Sequence, residues 1–182
     1  PYSNLASHVI GFVGKDNQGI IGLEVKYDEY LKGSPGKILM ETDGKGRKIE
    51  GSSEKRIEPV PGNHLVTTID LTIQQYAEQA LDKAVKAKSA KRGSIIILNP
   101  QNGEIYAMAN KPDYDLNEPF TINDPSLNEI WDHLNTEDQY KKLNTMWRNF
   151  AINDTYEPGS TFKIMTSTMG LEEKVIDINS PF

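Results

Sequence analysis

The run from Asp70 to Asn110 constrains the fold most, because it specifies a helix and then a hairpin within some forty residues. After Asp70, apolar residues recur at Ile73, Ala77, Ala80, Leu81, Ala84 and Val85, the spacing of an amphipathic helix, and Asp70 is a side chain suited to cap it. Gly93 to Asn99 then reads as a buried strand around Ile95-Ile96-Ile97-Leu98. Pro100-Gln101-Asn102-Gly103 is a turn composition, and Glu104 to Asn110 reads as the returning strand. A hairpin pairs its strands antiparallel, so the sheet this chain builds contains at least one antiparallel pair.

Around this run the chain changes character. Residues 8–14 read as a short strand with glycine breaks, and 21–31 as a short helix. From Lys32 to Pro61, glycines and prolines are scattered among many charges, which suits a hairpin of solvated strands with turns near Asp43-Gly44 and Glu50-Gly51. Pro59-Val60-Pro61-Gly62 punctuates the chain, so a domain boundary is placed near residue 61, dividing it into 1–61 and 62–182. Residues 64–69 read as a strand, 111–117 as a loop, and 127–150 as one or two helices whose aromatic residues belong to a core.

Composition narrows the function classes. A formal net charge of -6 gives a nucleic-acid role no electrostatic support. With no cysteine there is no disulfide, thiolate metal site or cysteine nucleophile. His8, His64 and His133 have no ligand spacing and read as surface or turn residues, so no metal site is expected. Gly14-Lys15 and Gly36-Lys37 lack the flanking residues of a phosphate-binding loop, and no cofactor is implied. The apolar run at Ile95–Leu98 is far too short to span a membrane, and no signal peptide opens the chain, so any anchor is expected outside it.

The motif that carries chemistry is Tyr156-Glu157-Pro158-Gly159-Ser160-Thr161-Phe162-Lys163. The bare pattern Ser-x-x-Lys also occurs at Ser34/Lys37 and Ser52/Lys55, but those lie in turn-like and charged, glycine-dotted stretches. After Ser160 the chain is apolar on most sides of a helical turn, which predicts a buried helix, with Pro158-Gly159 marking its entry. Residues three apart on a helix share a face, so Lys163 is placed beside the Ser160 hydroxyl.

A serine hydroxyl attacks only when a neighbouring base takes its proton, and a lysine is such a base only when neutral. Bringing an ammonium from about 10.4 to about 7 requires roughly 4–5 kcal/mol of destabilisation. Burial, nearby positive charge and the helix dipole all act in that direction, and the free N–H groups at a helix start suit an oxyanion.

With these residues in view, the chain resembles the class B penicillin-binding proteins, the serine D,D-transpeptidases that cross-link peptidoglycan. Tyr2 to Gly14 and Gly22 to Leu31 look like the pedestal region of that family, and Val66 to Gln75 like the entry to its transpeptidase domain. Asn99 to Ala109 is similar to the first hairpin of that domain, and Tyr156 to Lys163 to the segment holding its nucleophile. The resemblance implies an α+β fold, an antiparallel sheet flanked by helices, preceded by a small β-rich pedestal segment. It implies Ser160 as nucleophile on the penultimate D-alanine carbonyl of a peptidoglycan stem peptide, Lys163 as its base, and Ser160 with Gly159 as substrate contacts. It further implies acylation by β-lactam antibiotics, a place on the extracytoplasmic face of the cell membrane, and a membrane glycan polymerase as partner.

The family completes its site with a later Ser-x-Asn and a Lys-Thr-Gly strand, which do not occur after Ser160 in this sequence. The expectation is therefore that this polypeptide alone does not turn over, and that its partner includes the remaining C-terminal part of the transpeptidase domain. A penicillin-sensing or structural member of the superfamily, and a hydrolase of β-lactam or D-Ala-D-Ala, are the competing readings.

Overall fold

The helix expected after Asp70 forms as α4 (Leu71–Lys88), following the short helices α1 (Ser7–Ile10), α2 (Gly22–Lys26) and α3 (Asp28–Leu31). In the computed structural model, residues 2–40, 44–45 and 54–180 are described. Asp70 caps α4 by accepting a hydrogen bond from Ile73 N at 2.8 Å. Ala77 and Leu81 on one face of α4 pack against Ala107 and Ala109, with Ile73, Val85 and Ile95 closing the cluster. Small residues on both sides let the helix lie close to the sheet. At Gly93 the approach is close enough that a Cβ would stand 2.9 Å from the Leu81 side chain.

That sheet is the antiparallel hairpin of β3 (Gly93–Leu98) and β4 (Ile105–Lys111), in register from Gly93↔Lys111 to Leu98↔Ile105 with an irregularity at Ile97/Leu98. The outer edge of β4 is closed by side chains and single backbone bonds. Ile105 O accepts from Thr68 Oγ1 (2.7 Å) and Tyr106 O from Asp70 N (2.9 Å). The Gln74 side chain, fully buried, accepts from Met108 N at 2.8 Å and donates to Met108 O at 3.1 Å. One amide side chain thus substitutes for a neighbouring strand at that position.

A second antiparallel pair, β1 (Lys37–Met40) with β2 (Glu54–Ile57), forms the solvated hairpin expected in the charged segment. Of its expected turns, Gly44 lies in a turn, while Asp43 and the Glu50-Gly51 turn lie outside the described residues.

The larger aromatic core lies around α5 (Thr136–Trp147). Phe12, Tyr114, Leu143, Met146 and Trp147 are buried together, with Ile21, Leu116, Ile122 and Trp131 against them. Trp147 meets Phe12 and Phe120 edge to face, at 5.0 and 5.3 Å between centroids, and donates Nε1–H to Pro119 O at 2.6 Å. Burial pushes the Tyr114 phenol up, and its hydroxyl donates to Ser7 O at 2.9 Å.

Four expectations are corrected. The strand expected over 8–14 is instead the single turn α1 followed by Gly11 at φ 77, with only an isolated bridge from Val13 to Gly19. The apolar residues there need burial, and a helical turn plus the inserted Phe12 ring supplies it without a partner strand. The helix over 21–31 breaks at Tyr27 into α2 and α3. Residues 64–69 form no strand: Val66 is 92 % exposed, and the segment meets β4 through individual bonds rather than a ladder. Strand β3 exists but is not buried, since only one of its faces meets α4, and Ile96, Ile97 and Leu98 are exposed.

A fifth correction concerns His8, which lies in the core rather than at the surface. Its Nε2 is 3.0 Å from Met146 O, and its own carbonyl accepts from Asn149 Nδ2 at 3.3 Å. Asn149 Oδ1 in turn accepts from Asn110 Nδ2 at 2.8 Å. Buried amides and one imidazole therefore tie α1 to β4 and the end of α5. His64 and His133 are exposed as expected.

By its internal contacts the chain divides into two compact units, Pro1–Ala151 and Ile152–Phe182, with the short helix α6 (Phe150–Asn153) straddling the boundary.

Candidate active site

Ser160 stands in the middle of a single 3-10 turn, Gly159–Thr161, that runs directly into α7 (Phe162–Glu172). Pro158, at φ -72 and ψ -16, precedes the turn, and Gly159 takes φ 56, a left-handed conformation that glycine adopts without the Cβ penalty. Thr161 closes the turn by donating both its N–H, at 3.3 Å, and its hydroxyl to Pro158 O. The proline and glycine that marked the entry in the sequence thus do the local work of presenting Ser160 at the helix start.

Lys163 follows three residues later, in the first turn of α7. Ser160 in the 3-10 turn and Lys163 in α7 are thus three residues apart across the junction of the two elements, the separation of neighbours on one helix face. Neither side chain has a hydrogen-bond or ion-pair partner among the described residues, and both are exposed. Thr166 and Thr168 satisfy their hydroxyls within the helix, donating to Phe162 O (3.2 Å) and Ile164 O (2.8 Å). The helix ends at Glu172, and beyond it Lys174 takes φ 57, Val175 N donates to Gly170 O at 3.0 Å and the Ile176 side chain folds back on Gly170.

The expectation that α7 is buried is corrected: Phe162, Ile164, Met165, Met169 and Leu171 are all exposed, Ile164 at 71 %. An all-round apolar helix has no amphipathic solution, so it hides its residues only when elements cover it on several sides. Among the described residues of Ile152–Phe182, the turn at Ile176 is what folds back on it.

Of the residues in the competing Ser-x-x-Lys pairs, Ser34, Lys37 and Lys55 lie outside any helix. Ser34 forms an isolated bridge with Val60 and Lys37 opens β1, while Lys55 lies in β2 and Ser52 falls outside the described residues. Among the described residues, no three His, Cys, Asp or Glu side chains are grouped to hold a metal ion. No helix among them is long and apolar enough to cross a membrane.

Comparison with known proteins is consistent along the chain. Residues 93–182 match the family described as penicillin binding protein transpeptidase domain, and residues 1–67 that described as penicillin-binding protein dimerisation domain. Stage V sporulation protein D of Bacillus subtilis is 37% identical over 179 residues, 98% of this chain and 25% of that protein. The peptidoglycan D,D-transpeptidase FtsI of Buchnera aphidicola is 35% identical over 176 residues, 97% of this chain and 27% of that one. The chain therefore spans between a quarter and a third of the length of these relatives. Among solved structures, penicillin binding protein 3 of Mycobacterium tuberculosis, complexed with aztreonam, superposes with a TM-score of 0.68 at 25% identity, covering 100% of this chain and 33% of that one. The α+β reading with antiparallel strands stands on this likeness and on the hairpins described above.

Proposed function

Because the chain belongs to the class B penicillin-binding proteins, we propose that it is the part of a peptidoglycan D,D-transpeptidase that carries the nucleophile Ser160 and its base Lys163. The observation that carries this reading is the placement of Ser160 in a 3-10 turn at the mouth of α7, with Lys163 one turn further on.

In the proposed reaction, the Ser160 hydroxyl attacks the penultimate D-alanine carbonyl of a stem peptide as its proton passes to Lys163. Collapse of the tetrahedral intermediate breaks the peptide bond and releases the terminal D-alanine, which takes up that proton. An amine from a second stem peptide then attacks the acyl-serine ester, forming the cross-link and regenerating the hydroxyl. A β-lactam opens its ring on the same oxygen and stays bound. Gly159 lets the chain bring substrate close to the helix start, whose N–H groups suit the developing oxyanion.

The exposed apolar residues of α7 are the surface on which the remaining C-terminal part of the transpeptidase domain packs, and the serine is competent only in that assembly. The protein acts at the extracytoplasmic face of the cell membrane, alongside a membrane glycan polymerase that supplies its strands.

The test is labelling of the intact protein with a fluorescent β-lactam, followed by intact mass and peptide mapping. A stable adduct on Ser160, absent from S160A and from K163M, is the expected result. Labelling of S160A, or an adduct mapped elsewhere, overturns the assignment. Cross-linking of a donor stem peptide to an amine acceptor then separates a transpeptidase from a sensor that only acylates, and rapid release of hydrolysed β-lactam would mark a hydrolase.

A further inference from the structure

The unit Pro1–Ala151 contains cavities of about 730, 570 and 530 Å³. Three cationic residues line the last: Lys91 and Arg92 in the turn between α4 and β3, and Lys142 on α5. The acidic residue on its wall is Asp124, and that carboxylate already accepts hydrogen bonds from Ser126 N at 2.9 Å and Ser126 Oγ at 2.6 Å. These bonds, with a smaller attraction from Lys142, hold the Asp124 carboxyl below the usual carboxylate range. A chain of net charge -6 thus sets three cationic side chains and one carboxylate along the wall of one concavity.

The remaining wall is apolar. Phe150 presents its ring with the Arg92 guanidinium 5.0 Å from its centroid, and Ile122 and Leu127 lie on the same wall. The adjoining His8 imidazole contributes no cation at neutral pH, because burial pushes its pKa down. Lys91 has no hydrogen-bond or ion-pair partner among the described residues.

A bland alternative is that the lysines are merely solvated surface groups. Solvated lysines repel one another and spread, whereas here they share a concave wall of the size that holds small organic ligands, and an anion placed there relieves the repulsion. An inorganic anion would leave the Phe150, Ile122 and Leu127 wall unused.

We propose that this cavity is a binding site for a small organic carboxylate with an apolar body, such as the C-terminal residue of a peptide, which places its carboxylate among Lys91, Arg92 and Lys142 and its side chain against Phe150. The site shares no residue with the Ser160 turn, and it stands or falls independently of the acyl-transfer reading.

The test uses the intact protein with N-acetyl-L-leucine as probe, N-acetyl-L-leucinamide as its uncharged counterpart and inorganic phosphate as the anion without an apolar body, read by titration calorimetry. The expected result is saturable binding of the acid that weakens with added salt, with the amide and phosphate each at least about ten-fold weaker. K142Q and K91Q each lower the affinity by about five-fold or more, and K83Q, a control at an exposed lysine of α4 outside the cavity, leaves it unchanged. Circular dichroism confirms that the variants remain folded. Equal binding of acid and amide, phosphate binding as tight as the acid, or full affinity in the K91Q/K142Q double variant each overturns the proposal.

Discussion

Replacing Gln74 by leucine tests whether one side chain stands in for a strand on the outer edge of β4. The side chain is fully buried and makes three bonds: to Met108 N (2.8 Å), to Met108 O (3.1 Å) and to Glu78 Oε1 (2.7 Å). Leucine is close in volume but leaves the Met108 N–H and C=O without partners in a buried strand. Each orphaned group costs about 1–3 kcal/mol, roughly 2–6 kcal/mol for the two. Burial of the leucine side chain offsets about 2 kcal/mol of that. A net loss of up to about 4 kcal/mol, centred near 2 kcal/mol, is expected, equivalent to a urea midpoint lower by about 1 M at an ordinary m-value. Urea unfolding followed by tryptophan fluorescence measures it, since Trp147 reports on the aromatic core. Q74E, which loses the donor to Met108 O and brings a second carboxylate next to Glu78, should be at least as damaging at neutral pH and partly relieved at low pH. A midpoint for Q74L within about 0.3 M of the parent would refute the edge-capping argument.

Three further outcomes follow from the same structure. W147A should cost about 3–5 kcal/mol, because it empties the position between Phe12 and Phe120 and orphans Pro119 O; a loss below about 1 kcal/mol in the same unfolding assay would contradict that packing. D70A removes the acceptor for Ile73 N and should cost about 1 kcal/mol, with D70S retaining most of the stability. The His8 imidazole is pushed below its ordinary value of 6.5 chiefly by burial, with the hydrogen bond to the Met146 carbonyl and then Asp113 opposing and Lys111 assisting, so the unfolded chain binds the proton more readily than the folded one. Its contribution is intact above 6.5 and is lost as pH falls from there toward the folded value; H8N should flatten that part of the stability-versus-pH curve, and an unchanged slope would exclude His8 as its source.

The elements legible in the sequence are those whose signal is local. The α4 period, the Asp70 cap and the β3–β4 turn each depend on residues within a few positions, and each forms where expected. Pro158-Gly159 likewise marked the turn that presents Ser160. The misread elements depend on distant partners. The β-branched composition of 64–69 suits an extended segment but does not say whether a strand lies alongside, and Thr68 and Asp70 instead reach β4 one bond at a time. A single histidine carries no period, so the burial of His8 against Met146 and Asn149, residues about 140 positions away, leaves no trace in its neighbours. For α7 the composition described the environment the helix requires, and the exposed Ile164 and Met165 show a requirement that Ile152–Phe182 does not meet by itself.

The bonding along β4 has a directional outcome. Thr68, Asp70 and Gln74 occupy the acceptors and donor that another chain segment would need at Ile105, Tyr106 and Met108, so that flank offers no template. Any additional ribbon that enlarges this sheet must therefore enter beside Gly93–Leu98, where the exposed Ile96 and Leu98 await a cover. Growth of the architecture is thereby polarised to one side, and a partner approaching from the other meets a finished wall.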